Sequence, residues 1–106
     1  MKTRLVTLCI ALLAAPTALA DLKPGDKAPD FTARASLNGK EFTFRLAEAL
    51  RQGPVVVYFY PQAFTKGCTV EAHLFAEAID RFKAVGATVI GVSNDAIDVL
   101  NRFSAS

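Results

Sequence analysis

The chain has 106 residues, with 12 basic against 10 acidic side chains and a formal charge of +2 at neutral pH. That length suits one small domain and leaves no room for a second. There is no basic stripe and no nucleic-acid recognition motif, so the pattern argues against a nucleic-acid partner.

Residues 1–20 read as a secretory signal peptide. Lys2 and Arg4 make a basic start, Leu5 to Ala15 an apolar stretch, and Ala18-Leu19-Ala20 a small-x-small cleavage site. The apolar core falls short of the ~20 residues a spanning helix needs, which disfavours the alternative of an uncleaved anchor. Cys9 follows the bulky Leu8, which disfavours a lipoprotein. Cleavage after Ala20 is therefore expected, giving a periplasmic or secreted protein that starts at Asp21 and has no membrane attachment. Loss of Lys2 and Arg4 balances the charge. Loss of Cys9 leaves Cys68 as the only thiol, unable to form an internal disulfide.

Asp21 to Asp30 is an opening segment bearing Pro and Gly. Phe31 to Ala35 alternates as a short strand, Leu37-Asn38-Gly39-Lys40 carries a hairpin turn signal, and Glu41 to Phe44 alternates as the return strand. Leu46 to Arg51 fits a short helix closed by Gly53 and Pro54. Val55 to Tyr60 is a nearly continuous β-branched and aromatic run, as expected of a central parallel strand buried on both faces. Val70, Leu74, Phe75, Ala78, Ile79, Phe82 and Val85 recur at helical spacing and predict one apolar stripe, with Glu77 and Arg81 paired on the wet side. Gly86 ends that helix and Ala87 to Val92 predicts the next strand. Ser93-Asn94-Asp95 offers caps for a helix from about Ala96. Strand, helix and strand at this spacing make one right-handed βαβ unit, so the fold class is α/β.

Cys68 stands where the strand hands over to the helix, in Pro61-Gln62-Ala63-Phe64-Thr65-Lys66-Gly67-Cys68. A thiol there meets the unpaired N–H groups and positive dipole end of the helix's first turn, which favour the thiolate, the nucleophilic form. The plain alternative is a buried structural cysteine. The neighbours decide between the two. Pro61, Thr65 and Cys68 at this spacing, followed by Thr69-Val70-Glu71, resemble the peroxidatic site of the peroxiredoxins (the AhpC/TSA superfamily). Gly25-Asp26-Lys27-Ala28-Pro29-Asp30-Phe31 resembles the same family's N-terminal signature. The likeness runs from about Leu22 to Ser106 and is nearest the bacterioferritin-comigratory, PrxQ-like branch.

The resemblance implies a thioredoxin-like fold, of which residues 21–106 would be the N-terminal portion: a hairpin plus the first βαβ unit. The family's domain is longer, and the sequence stops within a predicted helix, so the chain is expected to be truncated. The strand Val55–Tyr60 would then keep an unpaired apolar edge, an aggregation hazard. The resemblance also implies a thiol-dependent peroxidase for hydrogen peroxide or small organic hydroperoxides, acting in antioxidant defence without a cofactor or metal. Cys68 would be the nucleophile that becomes a sulfenic acid. The Thr65 hydroxyl and the Cys68 N–H would contact the peroxide, Pro61 would shield the sulfur, and Glu71 would support an arginine. That arginine lies in the family's second half; Arg34, Arg45, Arg51, Arg81 and Arg102 do not match its position.

Where many relatives on this branch place a resolving cysteine, five residues after the first, this chain has His73. At that offset a histidine is not a close neighbour of Cys68, so a structural role is the simpler reading. One histidine and one thiol do not make a structural zinc site. The reductant is expected to be a thioredoxin-like protein, a small thiol, or a cysteine beyond Ser106. A disulfide exchanger would need Cys-x-x-Cys, and Thr65 occupies the first of those positions. The remaining alternative is a catalytically inactive thioredoxin-like fragment or interaction module.

Overall fold

The computed structural model describes residues 21–106; the signal-peptide assignment lies outside them. The elements come in the predicted order: β1 (Thr32–Leu37), β2 (Lys40–Arg45), α1 (Leu46–Gln52), β3 (Val55–Phe59), α2 (Lys66–Glu77), α3 (Ile79–Ala84), β4 (Thr88–Val92) and α4 (Ile97–Ala105). The α/β class holds. The strands form two separate two-stranded sheets, antiparallel β1–β2 and parallel β3–β4.

The hairpin is built by its turn. Asn38 and Gly39 both take positive φ, 50° and 78°, and Leu37 pairs with Lys40 across the two-residue loop. Two successive positive φ values give the mirror-image turn whose twist matches a hairpin, and Asn-Gly adopts it at the least steric cost. The opening segment is tied to the start of α1. Asp30 Oδ1 accepts a hydrogen bond from the Ala47 N–H at 3.1 Å and the Phe31 carbonyl accepts one from Leu46 N–H at 3.0 Å. Asp30 thus does for α1 what a capping side chain does, from outside the helix.

In the βαβ unit, Val55 pairs with Thr88 and Phe59 with Val92, and the Tyr60 N–H extends the ladder to the Val92 carbonyl at 3.0 Å. Gly91 stands opposite Tyr58. A Cβ at Gly91 would come within 2.6 Å of the Tyr58 ring, so the glycine makes room for the ring. Tyr58 in turn stacks on Phe75 of α2 with centroids 4.3 Å apart.

Two expectations need correction. The strand Val55–Tyr60 is not buried on both faces: its residues are half-buried up to Tyr58, Phe59 is 77% exposed, and only Tyr60 is buried. The reason is that among the described residues β3 pairs on one edge only, and Phe59 points away from the face where Tyr58 and Tyr60 pack. Nor is the next segment one helix. It bends at Ala78, whose ψ of 0° leaves the α-helical range. Side chains seven apart on a straight helix are spaced by about 10 Å of rise, whereas the bend lets Phe75 and Phe82 approach to 6.1 Å between centroids. On the wet side Glu77 pairs with His73 at 3.0 Å rather than with Arg81. Val70, Leu74 and Val85 of the expected stripe are exposed.

Helix α4 joins the two sheets. Ser104 Oγ accepts the Gly39 N–H at 2.9 Å and meets Ser36 Oγ at 2.7 Å. Asn101 Nδ2 donates to Glu41 Oε1 at 2.8 Å, and Arg34 pairs with the other oxygen of Glu41. The Asn101 hydrogen bond first, and then Arg34, hold the Glu41 carboxyl below its ordinary value. A depressed carboxyl stabilises the fold at neutral pH and loses that contribution as pH falls through its folded value. Glu41→Gln is therefore expected to lower stability at neutral pH and to flatten the acid limb of the stability curve, the two proteins converging as the pH falls below about 4.5. Chemical denaturation at pH 3 to 7 checks this, and parallel curves for the two proteins would refute it.

Candidate functional site

The site grows from the junction of β3 and α2. Thr65 is the residue before the first helical turn, in extended conformation at φ −74° and ψ 153°. Cys68 is therefore the third residue of the helix. The N–H groups of Lys66, Gly67 and Cys68 have no intrahelical acceptor; the first such bond runs from the Thr69 N–H to the Thr65 carbonyl at 2.9 Å. Cys68 is a free cysteine, buried to 9% exposure. It shares a buried cluster with Tyr60 and Ala63, against which Tyr58, Val99, Leu100 and Phe103 pack. Cys68 thus lies in apolar surroundings within a helical turn whose first N–H groups are unpaired.

The loop leading into the helix is held in a costly shape. Phe64 takes φ +64°, a left-handed conformation costing a non-glycine residue about 1–2 kcal/mol. Its ring meets Phe103 of α4 edge-on at 5.2 Å, and Tyr60 lies 5.9 Å from the same Phe103 ring. The Thr65 hydroxyl donates to the Gln62 carbonyl at 2.8 Å. It makes no capping bond to the helix, so the simple N-cap role open to a threonine at this place is not the one it fills.

Pro61 is exposed and lines a shallow cleft of about 340 Å³ with Phe59, Tyr60 and Ser93. The residues that enclose Cys68 are Tyr60 and Ala63. Glu71, one turn beyond Cys68, is exposed, and among the described residues it has no ion-pair partner. His73 is exposed and engaged with Glu77. A larger cavity of about 620 Å³ lies between the hairpin, β4 and α4, with Phe44, Ile90 and Leu100 in its walls. Neither cavity has Cys68 or Thr65 in its lining; the Cys68 thiol is covered in this conformation. Among the described residues no three metal-ligating side chains converge.

One contributor was invisible in the sequence as a site residue. Ser93 and Asp95 do not cap α4, which begins after Ala96 without a side-chain cap. Asp95 Oδ2 accepts the Ala63 N–H at 2.7 Å and the Ser93 hydroxyl at 2.8 Å. The carboxylate is drawn to the Cys68 loop because a buried N–H there needs an acceptor. Burial pushes the Tyr60 phenol above its ordinary value; a side-chain hydrogen bond with Ser93 opposes this, and the charges of Asp95 and Cys68 add to it. Tyr60 therefore stays neutral beside the thiol at physiological pH. The only sequence signal for Asp95 was its short polar run after a buried strand, which reads equally well as a cap.

The AhpC/TSA family model matches residues 24–106. The chain is 39% identical over 83 residues to peroxiredoxin Bcp of Escherichia coli K12, covering 78% of this chain and 51% of that protein. It is 42% identical over 71 residues to the chloroplastic peroxiredoxin Q of Oryza sativa subsp. japonica, covering 67% and 31%. It is 40% identical over 74 residues to a chloroplastic 2-cysteine peroxiredoxin of Chattonella marina var. antiqua, covering 70% and 38%. The chain spans about half or less of the length of these relatives. With the family comes the thioredoxin-like fold, of which the hairpin and the β3–α2–α3–β4 unit are one part. The signature residues, the covered thiol at the head of α2 and the match over residues 24–106 lead to one assignment: the chain belongs to the AhpC/TSA family, on its bacterioferritin-comigratory and PrxQ-like branch.

Proposed function

We propose that this chain carries the nucleophile of a thiol-dependent peroxidase that reduces hydrogen peroxide or small organic hydroperoxides. The observation that carries the reading is the free, covered thiol of Cys68 in the first turn of α2. The Cys68 thiolate attacks one oxygen of the peroxide in line with the O–O bond. An S–O bond forms and the O–O bond breaks. The second oxygen leaves as hydroxide or alkoxide and takes a proton to become water or an alcohol. Sulfur is oxidised by two electrons to the sulfenic acid, and the peroxide is reduced by two.

Proximity and stabilisation of the departing charge supply the rate. Thr65 and the Cys68 N–H orient the peroxide, and Pro61 forms the outer rim. Glu71 supports the positive potential that an arginine provides in the family. The sulfenic acid returns to thiol by two successive attacks of an external dithiol, from a thioredoxin-like protein, or of two small thiols. Cleavage of a leader at residues 1–20 would put this chemistry in the periplasm or outside the cell. A non-catalytic thioredoxin-like module is the competing reading.

The test is the intact mass of the protein after a roughly stoichiometric peroxide pulse with a sulfenic-acid trap. One trapped adduct at Cys68, in a chain beginning at Asp21, is the expected outcome. An unmodified Cys68 would favour the non-catalytic module, and a retained leader would overturn the compartment.

A further inference from the structure

Asp95 lies on the loop between β4 and α4, far from Cys68 in sequence, and yet its carboxylate reaches the segment that shapes the thiol site. Oδ2 accepts the Ala63 N–H at 2.7 Å and the Ser93 hydroxyl at 2.8 Å, and the Asp95 N–H returns a 3.2 Å bond to Ser93 Oγ. Ala63 is 4% exposed, less than Cys68 itself, and sits in the same cluster. A hydrogen bond to a charged acceptor is the strong kind, and a buried donor left without a partner is unfavourable. The residue after Ala63 is Phe64, in its left-handed conformation, and the next is Thr65. A loop that holds an unfavourable backbone shape needs fixed points on either side of it. Downstream that point is the start of α2; upstream it is the Asp95–Ala63 bond.

We propose that Asp95 is a positioning residue for the peroxidatic chemistry, holding the Pro61–Thr65 loop so that the Thr65 hydroxyl and the Cys68 sulfur meet the same peroxide. This rests on the thiol-peroxidase reading above. Ser93 works through Asp95, orienting the carboxylate toward Ala63. The role needs an oxygen acceptor at this place rather than a negative charge, since a carbonyl oxygen also accepts two hydrogen bonds.

The experiment compares two single-turnover rate constants of Cys68 in the full chain: oxidation by hydrogen peroxide and alkylation by iodoacetamide. Alkylation needs only an accessible thiolate, whereas peroxide reduction also needs the oriented loop. Asp95→Ala is expected to slow peroxide oxidation by ~10²-fold, the scale of an ångström-sized misplacement, while alkylation stays equal or quickens as the thiol is uncovered. Asp95→Asn keeps the acceptor and is expected to restore the peroxide rate to within about 10-fold of the wild type. Ser93→Ala, a milder change that serves if Asp95→Ala does not fold, is expected to shift the same ratio in the same direction by a few-fold.

An unchanged peroxide-to-alkylation ratio in Asp95→Ala, or in Ser93→Ala where that variant stands in, would overturn the proposal. So would an Asp95→Asn protein as slow as Asp95→Ala. Both leave the peroxidase reading intact. A wild-type Cys68 that alkylates but does not react with peroxide would instead overturn the peroxidase reading, and this proposal with it.

Discussion

Cys68→Ser is expected to bring peroxide consumption down to the uncatalysed background. The serine hydroxyl is not appreciably ionised at neutral pH, and its oxygen cannot take up the peroxide oxygen that sulfur accepts in becoming a sulfenic acid. No second thiol among the described residues can substitute. The replacement is close in size, so the cluster with Tyr60 and Ala63 keeps its shape. A hydroxyl in that apolar surrounding costs about 1–3 kcal/mol if it finds no partner. Thermal unfolding measured beside the kinetics separates that loss from lost chemistry. Consumption by a folded Cys68→Ser protein at a rate comparable to the wild type would place the reaction elsewhere.

Thr65→Val is expected to lower kcat/KM for peroxide by ~10²–10³-fold, the usual loss on removing one preorganised polar group that acts on the reacting atoms. The hydrogen-bond geometry gives the threonine a specific task. Its proton is committed to the Gln62 carbonyl at 2.8 Å, which leaves the oxygen lone pairs free to accept the O–H of a peroxide. A hydroxyl whose rotor is already fixed loses little entropy on binding the substrate. Thr65→Ser retains the oxygen and is expected to stay within about 10-fold of the wild type. The alkylation rate of Cys68 in Thr65→Val is the control. If it falls as far as the peroxide rate, the substitution has disturbed the loop and the hydroxyl has no role of its own.

The contrast between these residues and Asp95 shows what could be read in the sequence. Thr65 and Cys68 belong to one short segment, and the roles proposed for them come from its likeness to the peroxidatic motif. The hairpin was legible locally too: Asn38-Gly39 states its own turn. Asp95 is 32 residues from its hydrogen-bond partner Ala63, and no local pattern records that distance. The left-handed Phe64 was equally hidden, because an aromatic residue is a poor candidate for positive φ and is held there through contact with Phe103. The break at Ala78 escaped because the apolar period runs through it unbroken. His73 and Glu77 were an allowed i, i+4 pair from the start, but Glu77–Arg81 was equally allowed, and only the side-chain positions separate them.

Helix α4 has a two-sided attachment, with Asn101 and Ser104 gripping the hairpin while Leu100 and Phe103 lean on the cluster around Cys68. The two sheets share no strand pairing, so α4, together with α1, which touches both β2 and β3, couples them thermodynamically. Coupling of this kind is reciprocal. Whatever loosens the hairpin lowers the free energy needed to open the thiol site. By the same amount, whatever opens the thiol site loosens the hairpin.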